Sequence, residues 1–122
     1  MKITPKLKFS IEKYKDNVII VEGINDKKAL ESTGFKKVYA IHKNYKSIRE
    51  SLEEISKSIN KDDKVSILTD LDKKGNEFNK QATFILQELG FSIDLSFRKL
   101  LIKANISHIE GIGNFLENVE NI

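Results

Sequence analysis

The chain of 122 residues has no cysteine, no tryptophan and a single proline. Without cysteine there are no disulfides, no thiolate-held zinc and no thiol nucleophile. That pattern fits a cytoplasmic protein. Proline is confined to position 5, and no Pro-, Gly- or Ser-rich linker divides the sequence, so residues 1–122 read as one domain. Long apolar runs are missing too. The longest is Val18-Ile-Ile-Val21 or of similar length, against the ~20 residues that a bilayer-spanning helix needs. The first ten residues carry Lys2, Lys6 and Lys8 but no apolar core, so they do not resemble a secretion signal. Without such a signal, Asn105-Ile106-Ser107 reads as a chance match to a glycosylation acceptor. His42 and His108, the only two histidines, lack metal-ligand spacing and read as ordinary surface or core residues. Gly111-Ile112-Gly113 lacks the rest of any phosphate-cradling fingerprint. No membrane association is expected.

Charge is present in quantity and unevenly placed. Residues 1–61 hold 14 Lys/Arg against 8 Asp/Glu, whereas residues 62–122 hold 7 against 10, which leaves the chain at +3. A basic half next to an acidic one suits a polyanion held by lysines and approached through a cation, although a solvated Lys-rich surface has the same composition.

Strand-like and helix-like patterns alternate. Val18–Glu22, Lys37–Ile41, Lys64–Thr69 and Phe91–Leu95 read as strands. Leu7, Ile11 and Tyr14 predict a helix over 6–15, and Asp26–Ser32 predicts another, with Gly34 as its stop. Ile48, Leu52, Ile55 and Ile59 form one helical stripe; Phe78, Ala82, Ile85, Leu86 and Leu89 form a second, closed by Gly90 as a C′ glycine. Short helices are expected at 97–104 and 114–120. The predicted fold class is α/β: a mostly parallel central sheet with helices on both faces.

Two of the strands end in acid. Val18–Val21 runs into Glu22, and Val65-Ser-Ile-Leu-Thr69 runs into Asp70-Leu71-Asp72. Continuous apolar runs mark buried parallel strands, and ligands of open α/β sheets gather at the carboxyl ends of such strands. If the two strands are neighbours, three carboxylates meet at one edge. A hard divalent cation, Mg²⁺ or Mn²⁺, would neutralise them. Gly23 permits a tight turn and a close approach of backbone to ligand, and Asp26 is positioned to cap the following helix. Lys27 and Lys28 after the first acid, and Lys73 and Lys74 on the loop after the acid pair, are candidate phosphate contacts. Arg98, Lys99 and Lys103 are the reserve set.

The segments Val18-Ile-Ile-Val-Glu-Gly-Ile-Asn-Asp-Lys-Lys-Ala-Leu30 and Val65-Ser-Ile-Leu-Thr-Asp-Leu-Asp-Lys-Lys-Gly75 resemble the two motifs of the Toprim domain. That domain is shared by topoisomerases, bacterial-type primases, nucleases that mature ribosomal RNA, overcoming-lysogenization-defect nucleases and recombination proteins. The core resemblance covers residues 18–95. The remainder, with Arg98-Lys-Leu-Leu101 and His108–Glu117, is similar to the small stand-alone archaeal Toprim proteins called primase-like. The resemblance implies that Glu22, Asp70 and Asp72 are the metal-binding and catalytic acids, with Mg²⁺ as cofactor and RNA or DNA as partner. Leu71 stands where many members have proline or glycine; it lies between the acids and does not bind metal. No tyrosine-bearing or zinc-bearing second domain is evident, so a complete topoisomerase or primase is not expected. Two readings follow: a small Mg²⁺-dependent nuclease acting on phosphodiesters of structured RNA or DNA, or a non-catalytic nucleic-acid-binding or assembly subunit that keeps the fold.

Overall fold

The computed structural model describes residues 5–41, 47–109 and 111–112. His42, Tyr45, Gly113 and the helix expected at 114–120 lie outside the described residues. The element order is α1 (Pro5–Glu12), β1 (Val18–Val21), α2 (Ile24–Glu31), β2 (Lys37–Ala40), α3 (Ile48–Ser56), β3 (Val65–Ile67), α4 (Lys73–Glu88) and α5 (Ser96–Lys103).

The strands form one parallel sheet in the order β2-β1-β3. β1 is central, and all four of its residues are buried, which explains its unbroken apolar sequence. Its alternate side chains feed two separate cores. Ile19 and Val21 pack with Leu30 of α2, Val38, Ala40, Leu68, and Phe97 and Leu101 of α5. Val18 and Ile20 pack on the other face with Leu52 of α3, Val65, Ile67, and Phe78, Ala82 and Leu86 of α4. The strand order accounts for this division. From β1 the chain first moves out to β2, then returns past β1 to β3. Crossovers of one hand must place α2 and α3 on opposite faces when the direction reverses.

The helices end where local chemistry dictates. Pro5 opens α1, where its missing N–H is no loss. Ser47 caps α3 by accepting the Glu50 N–H at 3.1 Å, and Arg49 joins α3 to α4 through Glu88 at 2.7 Å. Gly90 lies just past α4 with φ of +92°, the left-handed cap expected of it. α1 is shorter than its stripe predicts and ends at Glu12. Tyr14 lies in the following turn, stacked on Phe97 with ring centroids 4.4 Å apart. The strand expected at Phe91–Leu95 reduces to a single parallel bridge between Ile93 and Val65. The Asp94 N–H still donates to the Val65 carbonyl at 2.8 Å, but its carboxylate accepts from the Ser96 N–H at 2.9 Å and the Ser96 hydroxyl at 2.5 Å, so the ladder stops there and α5 begins.

Candidate metal and nucleic-acid site

Glu22 directly follows β1, and Asp70 and Asp72 follow β3, the strand paired to β1 in parallel. The ladder continues beyond the strand ends, with the Leu68 N–H on the Ile20 carbonyl at 2.9 Å. Carried on, the register sets Glu22 level with Thr69, one residue before Asp70. This edge is also where the chain reverses direction in the sheet, the position at which open α/β sheets take their ligands. α2 and α4 both begin here, so two helix N-termini face the same edge as the acids.

The β3–α4 loop is tied down by its own side chains. The Thr69 hydroxyl donates to the Gly75 carbonyl at 2.8 Å, and the Gly75 N–H donates to Asp72 Oδ1 at 2.7 Å. Asp72 is thereby the N-cap of α4. Gly75 is demanded by space, since a Cβ there would stand 2.0 Å from the Asp70 carbonyl oxygen. Lys73 and Lys74 are therefore the first two residues of α4, both exposed, and not part of a loop.

Asp70 is held from the far end of the chain. The Ile109 N–H donates to Asp70 Oδ1 at 3.1 Å, the Leu71 N–H donates to the Ser107 carbonyl at 2.9 Å, and His108 Nδ1 stands 3.4 Å from Asp70 Oδ2. His108, which reads from sequence as an ordinary residue, is thus at the site. No local signal could have placed it there, because it is brought to Asp70 by the neighbouring Ile109 hydrogen bond, which spans 39 residues.

The β1–α2 turn is built differently. Gly23 is the N-cap of α2 in extended backbone with no side-chain cap, and a Cβ there would meet nothing within 4 Å. Asp26 lies inside the first turn of α2 instead of capping it. Lys27 pairs with Glu31 at 3.5 Å along α2, and Lys28 is exposed. Arg98 of α5 donates to Asn76 Oδ1 in the first turn of α4 at 2.5 Å. Burial pushes its guanidinium pKa below the ordinary arginine value, and its Nε has no hydrogen-bond partner among the described residues. Lys99 and Lys103 are exposed.

The donors at this edge are carboxylate oxygens, the set that suits a hard cation. Among the described residues, however, no three acidic or histidine side chains are grouped to hold an ion. Asp72 is turned into its helix and Asp70 toward residues 108–109. What remains fits an ion taken by one or two carboxylates, with water and substrate phosphate completing its shell, which is how Mg²⁺ is commonly held. It does not fit a closed cage of three protein ligands. Among the described residues no helix is long and apolar enough to cross a membrane.

Comparison with known proteins agrees with this geometry. Residues 17–107 match the model of the Toprim domain. A UPF0292 protein of Archaeoglobus fulgidus is 31% identical over 108 residues, covering 86% of this chain and 81% of that protein. UPF0292 proteins of Pyrococcus horikoshii and Pyrococcus abyssi are 32% and 33% identical, covering 80% and 81% of this chain and 72% and 74% of their own lengths. A solved structure of a protein from Aquifex aeolicus superposes with a TM-score of 0.70 at 33% identity, over 87% of this chain and 94% of that one. Acids at the ends of adjacent parallel strands, the strand order and the matched span all point the same way, and the chain belongs to the Toprim domain family.

Proposed function

We propose that this protein is a Mg²⁺-dependent nucleic-acid-processing enzyme, a small nuclease acting on phosphodiesters of structured RNA or DNA in the cytoplasm. The observation that carries the reading is the pairing of β1 with β3, because it joins the edge bearing Glu22 to the edge bearing Asp70 and Asp72. Asp70 and Asp72 would hold the ion, and bound Mg²⁺ would supply charge stabilisation for the phosphate oxygens. Glu22 would reach the ion's shell through water or exchange a proton with the attacking or leaving oxygen. Lys73 and Lys74, exposed at the start of α4, attract the polyanion together with Lys27 and with Lys28, exposed in the last turn of α2. Family membership supports a role in nucleic-acid metabolism and the general use of acids for Mg²⁺.

A second reading, a non-catalytic nucleic-acid-binding subunit, is favoured by one observation: the lack of a ready three-ligand group among the described residues. The purified chain, incubated with hairpin RNA or DNA and Mg²⁺ or Mn²⁺, separates the two. Cleavage that disappears in Asp70→Asn supports the nuclease. Cation-dependent binding without cleavage, in parent and mutant alike, supports the subunit.

A further inference from the structure

We propose that His108 is a phosphate-contacting residue of this site, presented there by the strap Ser107–Ile109; the proposal rests on the reading of Asp70 as a cation ligand. Three observations carry it. First, the strap is anchored on both sides of His108. Ile106 and Ile109 are buried in the same core as Phe97, and the Leu71 N–H is held by the Ser107 carbonyl. Asn105, at φ of +59°, makes the left-handed turn that brings the chain back from α5 toward the acid loop. Second, His108 itself is 72% exposed between those buried neighbours, so the anchoring does not bury the imidazole but holds it at the surface beside Asp70. An exposed pair of this kind contributes little to stability, and the fold needs no histidine there for packing. Third, the Ile109 N–H occupies Asp70 Oδ1 and turns Oδ2 toward His108 Nδ1, 3.4 Å away. Oδ2 is then the oxygen left for a cation. A phosphate oxygen held by such a cation would lie next to the imidazole, which stands near the carboxylate without a hydrogen bond to it and could donate its N–H to the phosphate. His108 thus touches substrate, and Ile109 acts only by positioning Asp70.

The test uses the full chain and two readouts besides cleavage: Mn²⁺ affinity by calorimetry without nucleic acid, and binding of a fluorescent RNA or DNA hairpin with Ca²⁺ or with no divalent ion. The variants are His108→Ala, His108→Gln and Asp70→Asn, with melting temperatures to confirm folding. His108→Ala is expected to keep its Mn²⁺ affinity and lose about tenfold in Ca²⁺-supported hairpin binding, the loss of one charge-assisted hydrogen bond. His108→Gln, which keeps a donor, is expected to recover part of it. If His108→Ala binds the hairpin as the parent does while Asp70→Asn loses cation-supported binding, the proposal is overturned and the ion site stands. If the parent binds no divalent ion, or Asp70→Asn binds it equally well, the underlying site reading fails and takes this proposal with it.

Discussion

The two turns at the carboxyl edge each carry acid and glycine, yet they are held in opposite ways. In the β3–α4 turn, Thr69, Asp72 and the backbone of Asp70 close around Gly75, and any side chain there collides with main chain. In the β1–α2 turn, Gly23 is in a conformation open to any residue and has nothing near the place of its missing side chain. The fold explains one glycine completely and the other not at all. A glycine without an internal reason, next to a strand-terminal glutamate, is what the proposed function would require if its ligand came close to the backbone at this turn.

Substitution at the two glycines is the strongest way to break this comparison. Gly75→Ala is expected to lose about 2 kcal/mol or more of stability in urea unfolding, since the overpacking against a main-chain carbonyl exceeds the gain in helix propensity. Gly23→Ser is expected to hold stability or raise it by a few tenths of a kcal/mol by supplying the absent cap, while lowering Mg²⁺-supported cleavage or hairpin binding. A Gly23→Ser protein with full activity would remove the ligand side from that turn.

Asp72 sharpens the contrast, because one carboxylate serves both cap and candidate ion site. Asp72→Ala is expected to lose about 1 kcal/mol, whereas Asp72→Asn, which caps equally well, stays near the parent. Both are expected to lose cleavage. Any relief of repulsion between the neighbouring carboxylates is thus visible only in the Asn variant, where the cap survives. Equal stability of the Ala and Asn variants would remove the capping role.

The lysines compare the turns by charge. Replacing Lys27 and Lys28, or Lys73 and Lys74, with Ala is expected to flatten the salt dependence of hairpin binding by roughly one to two units in the log–log slope. Lys27, already engaged by Glu31, is expected to contribute less than Lys28. Unchanged slopes in both double mutants would move the polyanion to Arg98, Lys99 and Lys103.

The smallest effect is expected at the other end of the sheet, where Asp94 is an acid with a purely structural account. Burial works to raise its pKa, but the Ser96 hydroxyl and N–H, Lys64 and Asn17 together hold it below the ordinary aspartate value. A carboxyl whose pKa is lower folded than unfolded stabilises above the unfolded pKa, and that contribution fades as pH falls through the folded one. Asp94→Asn is therefore expected to flatten the acid limb of a stability–pH curve slightly and to leave divalent-ion affinity unchanged.

The sheet was readable in the sequence because β1 and β3 are buried on both faces, β1 as an unbroken apolar run and β3 as one interrupted only by the buried Ser66, each followed by acid. Phe91–Leu95 misled because its alternation mimics a strand, whereas Asp94 finds its partners in α5. Asp26 looked like a cap because the true cap, Gly23, has no side chain to announce it. The spacing from Asp70 to Gly75 was visible but its cause was not, since the collision is with backbone. His108 was illegible for a different reason: its neighbour is set by the path of α5 and the turn at Asn105, not by local pattern.

That long-range clasp bears on the order in which the molecule is made. Synthesis runs from the amino end, so β1, β3 and all three acids are made before Ser107–Ile109. The Ile109 N–H that orients Asp70 arrives 39 residues after the carboxylate it serves. A nascent chain therefore carries Asp70 unfastened, and this carboxylate acquires its fixed orientation only when Ser107–Ile109 close over it.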